Sequence, residues 1–191
     1  MRSLLFVPGD SEKKLARGLE SGADVLIVDL EDSVSPGNKA AARGLTAEFL
    51  ASAAGGPALY VRVNDLSTGL TDDDLAAAMK GAPAGIMLPK SNGGDDVGRL
   101  AVRLRVHEAE NGLADGATGI LPIITETPAG LLRAGTYAGA SARLAGLTWG
   151  AEDLSAEIGA ADTRDESGRY TDVFRFARLS TILAAAAAEG A

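Results

Sequence analysis

Six short apolar runs, at 3–7, 25–29, 58–63, 85–88, 119–124 and 144–148, are each followed by a stretch with helical patterning, and this alternation constrains the fold more than any other feature. Strands separated by helices pair side by side in parallel, because the crossover helix returns the chain to the same end of the sheet. Runs such as Val25-Leu-Ile-Val-Asp29 are apolar at consecutive positions, the pattern of a strand covered on both faces. Six units in 191 residues lie close to the roughly 31 residues per βα unit of a TIM barrel. The expected fold is therefore α/β, a (β/α)8-type barrel with about six of its eight units in this chain. A doubly wound sheet is the competitor, yet no GxGxxG and no P-loop follows the first run, which continues as Phe6-Val-Pro-Gly-Asp-Ser-Glu-Lys13. No low-complexity linker or long charge run divides the sequence, so one barrel domain over 1–191 is expected, lacking the last two βα units. Six strands alone would leave two open edges.

Helix boundaries are marked by ordinary capping chemistry. Asp10 or Ser11 can cap the first helix, and Ser35-Pro36 offers an N-cap with proline at the first helical position. Thr71 to Asp74 resembles a capping box with a shorter acid, and Gly81 can close that helix. Asp95 and Asp96 open a helix that Gly112 can end, Pro128 starts the next, and 170–189 forms the last. Before it, the polar segment 162–168 is long enough to be a lid or a binding segment.

Several function classes fall away on composition. There is no cysteine, which excludes disulfides, thiolate catalysis and cysteine-ligated metals. A net charge of −8 disfavours nucleic acid or an anionic membrane as the main partner. No run is long and apolar enough to span a bilayer, and the first residues read as a strand rather than a secretory signal, so a cytoplasmic location is expected.

Chemistry is concentrated where the runs end. The fifth run ends in Thr125-Glu-Thr-Pro128 and the sixth in Trp149-Gly-Ala-Glu-Asp153, so two carboxylates, Glu126 and Asp153, follow successive strands. If those strands are parallel neighbours, both acids emerge on one rim and can share a hard divalent cation. Taken singly, each is more often a helix-capping residue. The second run ends in Asp29-Leu-Glu-Asp32, three acids that repel one another unless cations or donors lie near. Capping and loop solvation is the plain alternative there. Arg62, flanked by valines, suits a carboxylate or oxyanion through its planar fork, or an ion pair with Glu31 or Asp32. Lys90 ends the fourth run as a charge partner for the acidic rim, with a Schiff-base role the alternative. Trp149 reads as packing or a pocket wall, and His107 lies among charged residues on a solvated face.

Taken together and in order, RSLLFVPG, DLEDSV, the Lys39 helix with AAR, RVN, LPK, ETPAG and WGAED resemble the citrate lyase beta-subunit-like family of the HpcH/HpaI aldolase superfamily. The resemblance runs from Arg2 to about Ala188. It implies a TIM barrel, a homo-oligomer (commonly a trimer), and a Mg2+-dependent carbon–carbon lyase acting on an acyl-CoA thioester to release a 2-oxo acid. By the same resemblance Glu126 and Asp153 are magnesium ligands and Arg62 contacts the oxo acid. Glu31 and Asp32 hold water or outer contacts around the metal, and the Gly150-Ala151 backbone donates to the substrate carboxylate. Arg2, Lys13, Lys14 and Arg17 lie where a CoA phosphate is received. Family chains continue through two further βα units and supply an acidic residue for proton transfer across a subunit boundary. Two alternatives keep the same residues: a thioesterase using the same metal site, and a non-catalytic subunit that binds a CoA ester or oxo acid.

Overall fold

A computed structural model describes every residue of the chain except Ala54, Gly190 and Ala191. Five strands form one sheet: β1 (Leu4–Pro8), β2 (Val25–Asp29), β3 (Ala58–Arg62), β4 (Gly85–Leu88) and β5 (Gly119–Pro122), in the spatial order β1-β2-β3-β4-β5. The ladders β1–β2, β2–β3 and β3–β4 are parallel. Strand order thus follows chain order without reversal. A doubly wound sheet turns back on itself at its switch point, and this sheet does not.

Among the strands, the expected sixth departs from the continuous ladder. Residues 144–148 meet the fifth strand and its extension only through isolated parallel bridges, Ile120 with Leu144 and Ile123 with Thr148. Gly146 lies between those bridges, and a glycine inside a strand weakens the ladder at that point.

Backbone proximity divides the chain into two compact units, Met1–Met87 with Val102–Gly119 and Leu88–Ala101 with Ile120–Ala191. The first has β2 at its heart, where Val25, Leu26, Ile27, Val28 and Leu30 are wholly buried. Each such side chain contributes roughly 1.5–3 kcal/mol, so β2 anchors the acids that follow it. By contrast, β1 pairs only with β2 among the described residues, and its Leu4, Leu5 and Phe6 are exposed.

Helices α1 (Glu12–Leu19), α2 (Lys39–Ser52) and α3 (Thr71–Ala78) belong to this unit. A 3-10 turn over Pro36–Asn38 precedes α2, so the proline begins that turn rather than the α-helix. The capping-box expectation at α3 fails for a long-range reason. Asp74 is drawn to the Asn64 N–H (2.7 Å) and the Arg43 guanidinium (2.7 Å), while Thr71 Oγ1 bonds back to the Asn64 and Asp65 carbonyls. The chain then ends this helical stretch at Ala82, which takes the left-handed conformation (φ 49°) in place of Gly81.

The second unit holds α5 (Pro128–Leu132), α6 (Glu152–Glu157) and α7 (Asp172–Glu189), while α4 (Gly94–Glu110) runs through both. Leu131 of α5, Leu154 of α6, and Phe174 and Ala177 of α7 share one apolar cluster, with Trp149 and Tyr170 packed against it. No helix among the described residues is long and apolar enough to cross a membrane.

Candidate metal and oxyanion sites

In the second unit the polypeptide after β4 bends sharply. Lys90 has φ 49°, the left-handed region that costs a non-glycine residue roughly 1–3 kcal/mol and persists only where surroundings enforce it. The enforcement is visible. Tyr137, wholly buried, donates its hydroxyl to the Ser91 carbonyl (3.1 Å), and burial pushes that phenol up to about 12. Thr127 Oγ1 donates to Asn92 Oδ1 at 2.6 Å.

The bend brings both candidate carboxylates onto one residue. The Lys90 N–H donates to Glu126 Oε2 at 2.6 Å, and Lys90 Nζ lies 3.4 Å from Asp153 Oδ1. Glu126 is 3% exposed, and its alternative reading as a cap does not hold. The cap of α5 is Thr127, whose Oγ1 accepts the Gly130 N–H, with Pro128 in the first turn. Asp153 lies in the first turn of α6, next to the buried Leu154 that ties it to the apolar cluster.

Two glycines of the sequence motifs are explained by close approach. A Cβ on Gly130 would collide with the Ser91 carbonyl and come 2.9 Å from the Ile124 carbonyl. On Gly150 it would press against Glu126 Cγ at 3.2 Å. Gly130→Ala is therefore expected to lower stability by about 1–3 kcal/mol and to disturb the Ser91 segment that holds Lys90. A denaturant titration checks it, and an unchanged midpoint would contradict the packing.

Gly150 is also locked through its backbone: its N–H donates to Thr125 Oγ1 and its carbonyl accepts from the same hydroxyl, both at 3.0 Å. The amide expected to donate to a substrate is thus engaged inside the protein, leaving the Ala151 amide as the donor to weigh in that pair.

Fit to a magnesium ion turns on donor chemistry. Among the described residues no group of three or more His, Cys, Asp or Glu side chains could hold a metal. Two carboxylates are what Mg2+ commonly takes from a protein, the rest of its shell being water and substrate oxygen. The donor set suits that ion.

The first unit builds a separate cation-centred cluster. Asp29 and Arg62 are register partners at the ends of β2 and β3. Arg62 forks onto Asp29, Nε to Oδ1 at 2.7 Å and Nη2 to Oδ2 at 2.6 Å. Its Nη1 faces Glu31 Oε2 (3.0 Å) and Asp32 Oδ2 (3.6 Å), and its Cζ lies 4.9 Å from the Phe6 ring centre. Burial works to raise the Asp29 carboxyl, but the Arg62 hydrogen bonds and charge outweigh it and hold the group below its ordinary range. Asp29 further accepts the Glu31 and Ser33 N–H groups at 2.9 and 3.0 Å, which shapes the loop. Beneath, Lys39 Nζ donates to the Leu30 and Glu31 carbonyls and to Asn64 Oδ1, all within 2.8 Å.

Both ion pairs expected for Arg62 are present, and the two-pronged pair with Asp29 is an addition. It was readable from the shared register of two strand ends. The Lys39 clamp carries no local signal, because its partners lie eight to twenty-five positions away. Lys13, Lys14 and Arg17 stand exposed on α1, whose buried residues are Leu15 and Gly18, and Arg2 is exposed ahead of β1.

The sequence pattern of the HpcH/HpaI aldolase/citrate lyase family matches residues 2–191. Citrate lyase subunit beta of Escherichia coli (strain K12) is 35% identical over 193 residues, covering 98% of this chain and 60% of that protein. A crystal structure of CitE from Mycobacterium tuberculosis in complex with magnesium and acetoacetate superposes with a TM-score of 0.81 at 32% identity, over 97% of this chain and 69% of that one. The same protein in complex with magnesium, acetoacetate and coenzyme A gives 0.77 at 32% identity, over 97% and 62%. The chain thus spans about three fifths of the Escherichia coli relative.

Proposed function

Because the chain belongs to the HpcH/HpaI aldolase/citrate lyase family, we propose that it is a Mg2+-dependent lyase. Its substrate is a 3-hydroxyacyl-CoA such as malyl-CoA, citramalyl-CoA or citryl-CoA, which it splits into an acyl-CoA and a 2-oxo acid. The observation that supports the reading is that Lys90 contacts both acids, Glu126 through its backbone N–H and Asp153 through its ammonium group. Similarity to a citrate lyase beta subunit and to CitE bound to magnesium, acetoacetate and coenzyme A supports it.

In this proposal Glu126 and Asp153 would hold Mg2+, which would supply Lewis acidity at the substrate hydroxyl oxygen and so ease the loss of its proton before the carbon–carbon bond breaks. The chain's own residues set the geometry. Lys90 fixes Glu126 through its N–H before any ligand arrives, so little reorganisation is needed on binding. Arg62, held by Asp29 on two nitrogens, offers fixed positive charge to an oxo-acid carboxylate, with Glu31 and Asp32 ordering water beside it. Ala151 offers the amide of the Gly150-Ala151 pair. Arg2, Lys13, Lys14 and Arg17 receive a CoA phosphate. Cleavage also requires a base for the hydroxyl proton and an acid for the departing α-carbon, and no described residue is assigned to that transfer. The fold belongs to the same proposal: sequential strand order supports one (β/α)8-type barrel domain, and a homotrimer in the cytoplasm is its expected form.

Purified protein supplied with malyl-CoA or citramalyl-CoA and Mg2+ should release glyoxylate or pyruvate, detected by a coupled dehydrogenase, and chelation should stop it. Free CoA without oxo acid would assign a thioesterase instead. If neither product forms yet the oxo acid binds, the chain is a binding subunit.

A further inference from the structure

A second feature of the Leu88–Ala101/Ile120–Ala191 unit lies outside this machinery. Arg164, Gly168, Arg169, Tyr170, Arg175 and Arg178 line a concavity of about 510 Å³. Four of the chain's 18 basic residues gather there, although the chain carries a net charge of −8.

The surface is pinned in place. The polar segment read from the sequence as a lid or a binding segment forms a tight hairpin, closed by Asp165 N–H to the Arg169 carbonyl (2.8 Å) and Gly168 N–H to the Asp165 carbonyl (2.9 Å). Asp165 Oδ1 also accepts from the Ser167 hydroxyl and from the Ser167 and Arg169 N–H groups. Those bonds hold its carboxyl below the ordinary range and engage it in the turn. Arg164 lies over Tyr170, its Cζ 3.8 Å from the ring centre, and donates Nη1 to the Gly168 carbonyl at 2.8 Å. Tyr170 stands edge-on to Trp149 (5.2 Å, 80°), packed against the apolar cluster.

Arg175 and Arg178 are successive on one face of α7, three residues apart. Arg175 reaches Asp172 at only 3.4 Å, a pair in which Asp172 is 98% exposed and water competes. Arg178 has no ion-pair partner among the described residues. Of the four guanidinium groups that line the concavity, Arg169 meets Asp165 at 3.7 Å, a carboxylate its turn already engages, and Arg175 meets the solvated Asp172. A planar guanidinium fork matches a phosphate group, and an excess of such forks matches more than one charge.

We propose that this concavity is a binding site for the diphosphate group of a small ligand. Arg164 already covers one face of Tyr170, so the proposed site reads phosphate rather than a nucleobase.

Trp149 is the sole tryptophan, and its edge contact with Tyr170 makes it the reporter. In metal-free buffer at low salt, inorganic pyrophosphate should change its fluorescence saturably, orthophosphate should bind more weakly, and ADP should match pyrophosphate. The Arg175→Ala/Arg178→Ala double variant should weaken pyrophosphate by about tenfold or more, as expected for lost charge-assisted bonds. Both residues are exposed, so its melting temperature should stay at the wild-type value. Arg105→Ala, which removes an exposed arginine of the other unit, should bind as wild type. No saturable response, wild-type affinity in the double variant, or equal weakening by Arg105→Ala would overturn the assignment. So would ADP binding far more tightly than pyrophosphate, which would mean the base is read. Without metal or oxo acid in the assay, the outcome is independent of the lyase proposal.

Discussion

A Glu126→Gln chain is expected to fold normally and to lose Mg2+-dependent binding of a 2-oxo acid. Glutamine keeps the shape of the side chain and an oxygen to accept the Lys90 N–H, so the bend at Lys90 survives. What disappears is the anionic charge on a donor that is 3% exposed, where water cannot replace it. Loss of an outer hydrogen-bond partner costs a metal site roughly 10–100-fold, and loss of a charged ligand should exceed about 100-fold. Calorimetric titration of pyruvate with and without Mg2+ reads this directly, with a thermal melt as the check on folding. Metal-dependent binding within a few fold of wild type would remove Glu126 from the proposed site.

The second large effect falls on stability. Arg62→Met should cost about 3–5 kcal/mol, because Asp29 and Glu31 remain buried after their shared cation is gone. Methionine fills most of the arginine stem, so the loss reports charge rather than volume. Arg62→Lys should fall between, keeping a charge but not the fork onto both Asp29 oxygens.

The pair also sets a pH dependence. Asp29 has a folded pKa below its unfolded one, so its contribution is complete above the unfolded value and is lost as pH falls through the folded value. Stability should therefore decline below about pH 4, the ordinary aspartate range. Asp29→Asn should be less stable at neutral pH and show a flatter acid limb. Urea unfolding at pH 7 and pH 3 measures both. A cost below about 1 kcal/mol for Arg62→Met would mean that desolvation cancels the pair.

Much of this architecture could be read from residue patterns, and the exceptions share a cause. Val25–Asp29 and Gly85–Leu88 are apolar at every core position and polar or turn-forming just beyond, so their limits are local properties. Pro128 likewise fixes the start of α5 by itself. The run at 144–148 is interrupted by Gly146, and whether it pairs continuously depends on the partner strand rather than on its own composition. Asp74 looked like a helix cap until Arg43 and Asn64, distant in sequence, claimed it.

The candidate site divides the same way. Glu126 and Asp153 stand out as acids just after strand-like runs, a local pattern. The left-handed Lys90 that joins them does not, because its conformation is imposed by Tyr137 and Thr127, about forty residues downstream. The pairing of Asp29 with Arg62 needed only the register of two adjacent parallel strands.

Crystals of the chain soaked with Mn2+ and pyruvate, with diffraction recorded at the manganese edge, test the central claim most directly. One strong anomalous peak should lie within coordination distance of a carboxylate oxygen of Glu126 and of Asp153 at once, with the oxo acid completing the shell. A peak held by only one of them, or by neither, would contradict the account.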